Sequence, residues 1–318
     1  MNAVLSKCKI STLNQIGLLC GFASATNKQN RIQSIISGLE LYKHIERDFN
    51  ITDFSVLSVD IGYKNFAYCQ NRVDLTTNDP VTVVNWNKLN LDETFGSSYV
   101  PLNYSPLHEE KRYQNYIATR IACRLTDLCP DITVVETQRT KSNNNQVTLP
   151  TILKNYTLEN LIYNQFYQSN RLALPMTSAQ MISFWINRFV CKKSIKLAKN
   201  AKQFRNMLVL SWLSSSKLIK FDKLNPSITT PVTKTLLLSS LDLPTTHNKI
   251  DDLVDSLLYN LTIIHQLKNQ RMLLHYLLNG LDLTEFVIHH NQIQLDLIAD
   301  LVVKNNLPLL PDFANYIS

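Results

Sequence analysis

Between positions 251 and 255 an otherwise apolar stretch, Ile250-Asp251-Asp252-Leu253-Val254-Asp255-Ser256-Leu257-Leu258-Tyr259, carries three carboxylates. Its periodicity predicts a long helix from about Lys249 to Leu267. On a helix, residues 252 and 255, and 251 and 255, are neighbours on one face, where like charges repel. Any fold containing this helix must compensate them. A helix N-terminus stabilises nearby acids by roughly 0.3–1 kcal/mol each. That accounts for Asp251 and Asp252, and less well for Asp255, a turn further in between Val254 and Leu257. A bound divalent cation compensates more fully, and oxygen ligands without His or Cys favour Mg²⁺ or Mn²⁺.

Two further acids end strand-like runs. Val56-Leu57-Ser58-Val59 leads into Asp60, and Ile61-Gly62-Tyr63-Lys64-Asn65 turns the chain into Phe66-Ala67-Tyr68-Cys69; Val81 to Trp86 reads as a third strand. Short connections predict an antiparallel meander. After a polar loop over about 88–108, Tyr113 to Leu128 has helical periodicity, and Asp131 to Val135 is a buried-type strand ending on Glu136. Tyr156 to Gln168 predicts another helix and Arg171 to Pro175 a short strand. The order β-β-β-α-β-α-β, then a basic helical segment and the long helix, predicts an α/β fold with a mixed sheet. Residues 270–318 read as helical and Leu-rich.

An Asp before Ile-Gly is, taken alone, usually a turn former. Together with Glu136 and the late-helix acids, however, Asp60 completes a set able to hold two metals about 3.5–4 Å apart, one activating a water and the other stabilising a leaving oxygen. The chemistry implied is metal-assisted phosphodiester hydrolysis.

Charge supports a polyanionic partner. The formal +7 is zoned: residues 1–39 hold four basics and no acid, residues 160–221 hold ten basics and no acid, and the remainder is net −7. Nucleic acid is the commonest partner of such a surface, although solvated lysine-rich helices give the same pattern. Lys192, Lys193, Lys196, Lys199, Lys202 and Arg205 advance by three or four residues without interspersed Glu, which reads as a phosphate-tracking helical face. No apolar run approaches the ~20 residues of a membrane span, and 18% charged residues exclude a disordered polyelectrolyte. Six scattered cysteines without a C-x-x-C pair point to a reducing compartment, and His289-His290 lack partners at zinc-ligand spacing.

The N-terminal segment 3–43 holds two helical patterns, Val4 to Leu18 and Arg31 to Leu39, with Gly21 to Asn27 as the turn. Its acid-free start, with Ser and Lys, is permissible for a mitochondrial transit peptide. The same stretch also reads as part of a folded helix, in which case a cleaved peptide is very short or missing.

Three motifs carry a family resemblance: Val59-Asp60-Ile-Gly-Tyr-Lys-Asn-Phe-Ala, Val-Val-Glu136-Thr-Gln-Arg139-Thr-Lys141, and Lys249-Ile-Asp251-Asp252-Leu-Val-Asp255-Ser-Leu-Leu. In this order, across residues 56 to 260, they resemble the fungal mitochondrial Holliday junction resolvases, cruciform-cutting endonucleases related to bacterial RuvC within the RNase H-like superfamily. The resemblance implies an RNase H-like mixed five-stranded sheet flanked by helices. It also implies a mitochondrial, homodimeric endonuclease that binds four-way DNA junctions and cuts opposed strands in DNA recombination, with no membrane or small-molecule cofactor. Asp60, Glu136, Asp252 and Asp255 would be catalytic, and these four with Asp251 would hold two Mg²⁺ or Mn²⁺ ions. Lys64, Gln138, Arg139, Lys141, Lys192, Lys193, Lys196, Lys199, Lys202 and Lys249 would contact DNA. The relatives' spacing of the last acid pair matches Asp252 and Asp255, and leaves open whether Asp251 is a ligand or a neighbour.

The bacterial enzyme carries a junction-stacking aromatic shortly after its glutamate, whereas Thr137 to Leu149 contain none; a sequence preference of cutting does not carry over. Residues 1–45 loosely resemble a SAP-like helical DNA-binding appendage, with Lys28 and Arg31 as phosphate contacts, and a plain hairpin is the alternative. Residues 52–318 form the expected catalytic domain, with a basic helical insertion over about 188–245. Another RNase H-like nuclease, acting on RNA:DNA hybrids or transposase-like, would use the same acids. A non-catalytic DNA-binding protein of this fold is a third reading, which the intact acids disfavour.

Overall fold

The computed structural model describes residues 1–138, 149–190, 195–224, 231–246 and 249–313, with the backbone alone at 195–200. The first predicted helical pattern divides where Cys8 and Lys9 are extended, giving α1 (Asn2–Lys7) and α2 (Ile10–Cys20). α3 (Lys28–Asp48) follows, its first turn capped by the Asn27 side chain, which accepts from the Asn30 N–H.

Strand β1 (Phe54–Asp60) is covered on both faces: Phe54, Val56, Leu57 and Val59 are fully buried, each stabilising the fold by about 1.5–3 kcal/mol. β2 (Phe66–Val73) and β3 (Val81–Leu89) complete the expected antiparallel meander, with a bulge between Gln70 and Asn71. β4 (Ile132–Glu136) returns parallel to β1, and β5 (Ala173–Met176) lies parallel to β4. The described sheet has six strands, not five, in the order β5-β4-β1-β2-β3-β6. The added strand, β6 (Ile219–Lys220), pairs in parallel with β3. Two residues are too few to show strand alternation in a sequence.

The region read as a polar loop contains α4 (Leu91–Phe95), capped by Asn90 and anchored by buried Leu91 and Phe95. α5 (Pro106–Thr126) starts earlier than its apolar periodicity, since proline is tolerated in a first helical turn. α5 and α6 (Leu149–Gln168) cover one face of the sheet, where Ile117, Ile121, Leu158 and Ile162 meet Leu57, Val59 and Val135. After α7 (Ser178–Ile182) and a π-helical turn, the other face is covered by α8 (Ile195–Ser215), α9 (Lys234–Ser240) and α10 (Asp251–Asn279). α11 (Leu283–Asn305) packs along α10 and α8.

Polar contacts fix α10 on the sheet. The Asn260 side-chain amide donates to the carbonyls of Val56 and Cys69 at 2.8 and 2.9 Å. The Trp86 indole donates to the Leu253 carbonyl at 3.0 Å, and Ser58 Oγ lies 2.6 Å from the Ser256 carbonyl. This register brings the first turns of α10 to the end of β1.

The far half of α10 supports the N-terminal helices. Leu13, Ile16, Ile32, Ile35 and Leu39 share a core with Leu273, Leu277 and Phe286. The Asn269 and Gln270 amides donate to the Leu19 and Cys20 carbonyls at 2.8 and 2.6 Å, completing acceptors that a helix end leaves open. Gly21, at φ 73°, lies so close to the Gln266 amide that a Cβ there would collide with it. Among the described residues no helix is long and apolar enough to cross a membrane.

Candidate functional site

Parallel pairing of Val59 with Val135 makes Asp60 and Glu136 the next pair along, side by side at the carboxyl ends of their strands, the edge at which open α/β sheets bind ligands. Glu136 is the charged group that acts most strongly on Asp60. Burial, then Glu136, and then Asp255 and Asp252 push the Asp60 carboxyl well above its usual range. Two acids this close do not both ionise readily without a cation. Glu136 also accepts from Gln138 Nε2 at 2.8 Å. Burial, then Glu136, Asp60 and Asp255, raises the pKa of the buried Tyr259 phenol, so it stays neutral beside these acids.

The α10 acids reach the same place, each held by a partner. Arg205 from α8 donates Nε and Nη2 to the two oxygens of Asp255 at 2.6 and 2.9 Å. Burial raises the Asp255 carboxyl pKa, Arg205 lowers it, and Glu136 and Asp251 raise it further. The Lys88 ammonium from β3 lies 2.6 Å from Asp252. Asp251 faces α8, accepting from Asn206 Nδ2 at 2.8 Å with Lys202 Nζ 3.6 Å away.

Among the described residues no three His, Cys, Asp or Glu side chains converge to hold a metal ion as they stand. Within the site Asp255 and Asp252 are each held in an ion pair, with Arg205 and Lys88. The donor chemistry nonetheless fits a hard divalent cation: the site offers carboxylate oxygens only, and Asp60 and Glu136 need positive charge to ionise together.

Several residues here lie outside the sequence-derived set. Lys88 is missed because only strand register reveals it: Asp60 pairs with Ala67, and Ala67 with Lys88. Arg205 reads from sequence as one more basic residue of a helix. Tyr259 looks like an ordinary core aromatic. Glu159 carries a legible signal, since it lies on the buried stripe of α6 with Leu158, Ile162 and Phe166. It is 6% exposed and accepts from the Gln138 backbone N–H at 2.8 Å. Burial raises its pKa, the Gln138 hydrogen bond lowers it, and Glu136 raises it further. Lys154 of α6 stands over the Tyr63 ring at 3.8 Å, beside the loop that follows Asp60.

The expected DNA contacts are dispersed. Lys64 and Lys249 are exposed, and Gln138 is turned onto Glu136. Lys28 Nζ donates to the Ser6 carbonyl at 2.6 Å, and Arg31 Nε to the Ala25 carbonyl at 2.7 Å, so both brace the N-terminal helices. Arg139, Lys141, Lys192 and Lys193 lie outside the described residues, as do the side chains of Lys196 and Lys199.

A family model described as mitochondrial resolvase Ydc2 / RNA splicing MRS1 matches residues 56–273. A curated relative, the mitochondrial cruciform cutting endonuclease 1 of Saccharomyces cerevisiae, is 25% identical over 304 residues, covering 85% of each chain. Two solved structures align less closely. The yeast mitochondrial Holliday junction resolvase Ydc2 gives a TM-score of 0.48 at 20% identity over 84% of this chain and 96% of its own. T. thermophilus RuvC in complex with Holliday junction substrate gives 0.36 at 11% identity over 66% and 91%.

Proposed function

Because the chain belongs to the family of the mitochondrial resolvase Ydc2 and the RNA-splicing protein MRS1, we propose that it is a mitochondrial endonuclease that binds four-way DNA junctions and resolves them by metal-dependent phosphodiester hydrolysis. The observation that carries this reading is the pairing of Asp60 with Glu136 at the ends of two parallel strands, within the field of Asp252 and Asp255. The cruciform-cutting activity in the curated relative's name supports the choice of substrate.

Asp60, Glu136, Asp252 and Asp255 hold the metal, with Asp251 at the edge of the set. Two Mg²⁺ or Mn²⁺ ions, when bound, supply polarisation of an attacking water and charge stabilisation at the leaving oxygen. Gln138, by donating to Glu136, keeps it beside Asp60. Lys88 balances Asp252 and presents a part-exposed ammonium for phosphate. Lys64, Lys154, Lys249 and the lysines of α8 draw DNA toward the sheet edge. Residues 1–45 act as the SAP-like module and residues 52–318 as the catalytic domain, and a homodimer gives one site for each of two opposed strands.

The reading is tested by comparing nicking of a synthetic four-way junction, an RNA:DNA hybrid and a linear duplex in Mg²⁺. Preference for the junction supports it. Preference for the hybrid would point to another RNase H-like nuclease, and binding without cutting to a nucleic-acid-binding protein of this fold.

A further inference from the structure

The grip of α8 on α10 is more specific than an ordinary helix contact. Arg205 is 7% exposed and occupies both oxygens of Asp255, while Asn206 and Lys202 engage Asp251. Residues 202, 205 and 206 form one face of α8, and 251 and 255 one face of α10, so three side chains meet two acids in a single register. Asp255 is the same acid that stands in the field of Asp60 and Glu136. A divalent cation approaching it meets a guanidinium already in its place, and the two positive charges repel at close range.

We infer that Arg205 is a positioning residue that holds Asp255 as an ion pair until a DNA phosphate takes the guanidinium, coupling divalent-cation binding to DNA binding through α8. A phosphate is the natural alternative partner, since it offers the same bidentate acceptor geometry as a carboxylate. α8 also carries Lys196, Lys199 and Lys202, so a polyanion attracted to it arrives at Arg205. Release frees Asp255 for the metal, and thermodynamic reciprocity makes the metal strengthen DNA binding by the same factor. This inference rests on the metal-dependent reading above, and it adds that the free protein resists its own metal.

The test measures Mn²⁺ binding to the full chain by paramagnetic resonance of the free ion. Wild type, Arg205→Met and Arg205→Gln are compared, with and without a four-way junction carrying phosphorothioates, which keep the phosphate charge and slow cutting, at the crossover. Wild type is expected to bind Mn²⁺ at least tenfold more tightly with the junction. Both variants should bind at least tenfold more tightly than wild type without DNA, and gain less from the junction. A merely structural role for Arg205 would weaken binding instead, so equal or weaker Mn²⁺ affinity in folded variants overturns the inference. If neither variant folds, Lys202→Gln decides: this exposed lysine should give a gain of about threefold, and no gain counts against the inference. If wild type and variants bind no Mn²⁺ even with the junction, the metal-dependent reading falls as well. Mn²⁺ binding that ignores Arg205 removes only the coupling.

Discussion

Asp60 and Glu136 stand side by side at the carboxyl ends of adjacent parallel strands, and burial, with the Glu136 charge next, raises the Asp60 pKa well beyond the usual carboxylate range. Such a pair is strained when both groups are ionised and settled when a cation lies between them. Asp60→Asn relieves the repulsion and removes a metal ligand together. The variant should retain junction affinity in a gel-shift assay and match or exceed wild type in metal-free thermal stability. Cutting should fall at least about a thousandfold, corresponding to several kcal/mol of lost transition-state stabilisation. Residual cutting near the wild-type rate would remove Asp60 from the chemistry.

Glu159 should act on Glu136 through Gln138. Glu159→Ala deprives the Gln138 N–H of its acceptor, loosening the residue that orients Glu136, and supporting contacts of this kind are worth about 10–100-fold in activity or metal affinity. Glu159→Gln keeps an acceptor and should recover most of the loss. The pH dependence has a defined sign. Because the folded-state pKa of Glu159 is raised, the stability linked to its neutral form is full below the unfolded-state value and is lost as pH rises through the folded one. Glu159→Gln removes that loss, so its advantage in thermal melts should be larger at pH 8 than at pH 4. A pH-independent difference would count against a buried, raised carboxyl.

Asn260 joins α10 to β1 and β2 by hydrogen bonds to two strand carbonyls. Asn260→Ala should destabilise by roughly 1–3 kcal/mol, since it removes a buried donor from two strand carbonyls. Urea unfolding measures this, and a change under about 0.5 kcal/mol would mean that apolar packing alone sets the helix register.

Arg188 is 8% exposed, and its three guanidinium nitrogens have no hydrogen-bond partner among the described residues. It lies over the rings of Phe184 and Phe189 at 5.1 and 4.4 Å, and burial lowers its pKa to about 9. An unpaired buried cation costs more than ring contacts return. Arg188→Met should therefore stabilise the protein by roughly 1–3 kcal/mol in urea unfolding, and a loss of stability would show that the aromatic contacts outweigh desolvation.

What was legible in the sequence follows from where side chains break local rules. Asp60 and Glu136 stand out because each ends a strand whose other residues are buried, and Asp255 because it lies a turn into the helix between Val254 and Leu257. The end of α10 was not legible: Lys268-Asn269-Gln270-Arg271 reads as a polar break, yet Asn269 and Gln270 are buried where their amides complete α2. Tertiary partners there override composition. Lys88 and Arg205 escaped for a related reason, since their meaning lies in which acid each faces across the fold. The basic residues Lys28 and Arg31 were legible as charges, but not as the braces the folded hairpin makes of them.

Metal-dependent junction cutting is tested by incubating the purified protein with a synthetic four-way junction labelled on each strand, in Mg²⁺ and in EDTA, beside Asp60→Asn. Wild type should leave paired nicks in two opposed strands with Mg²⁺ and none in EDTA. Asp60→Asn should bind the junction without cutting it. Cutting that persists in EDTA, or a wild-type protein that binds the junction and leaves every strand intact in Mg²⁺ and Mn²⁺, would contradict metal-dependent cutting.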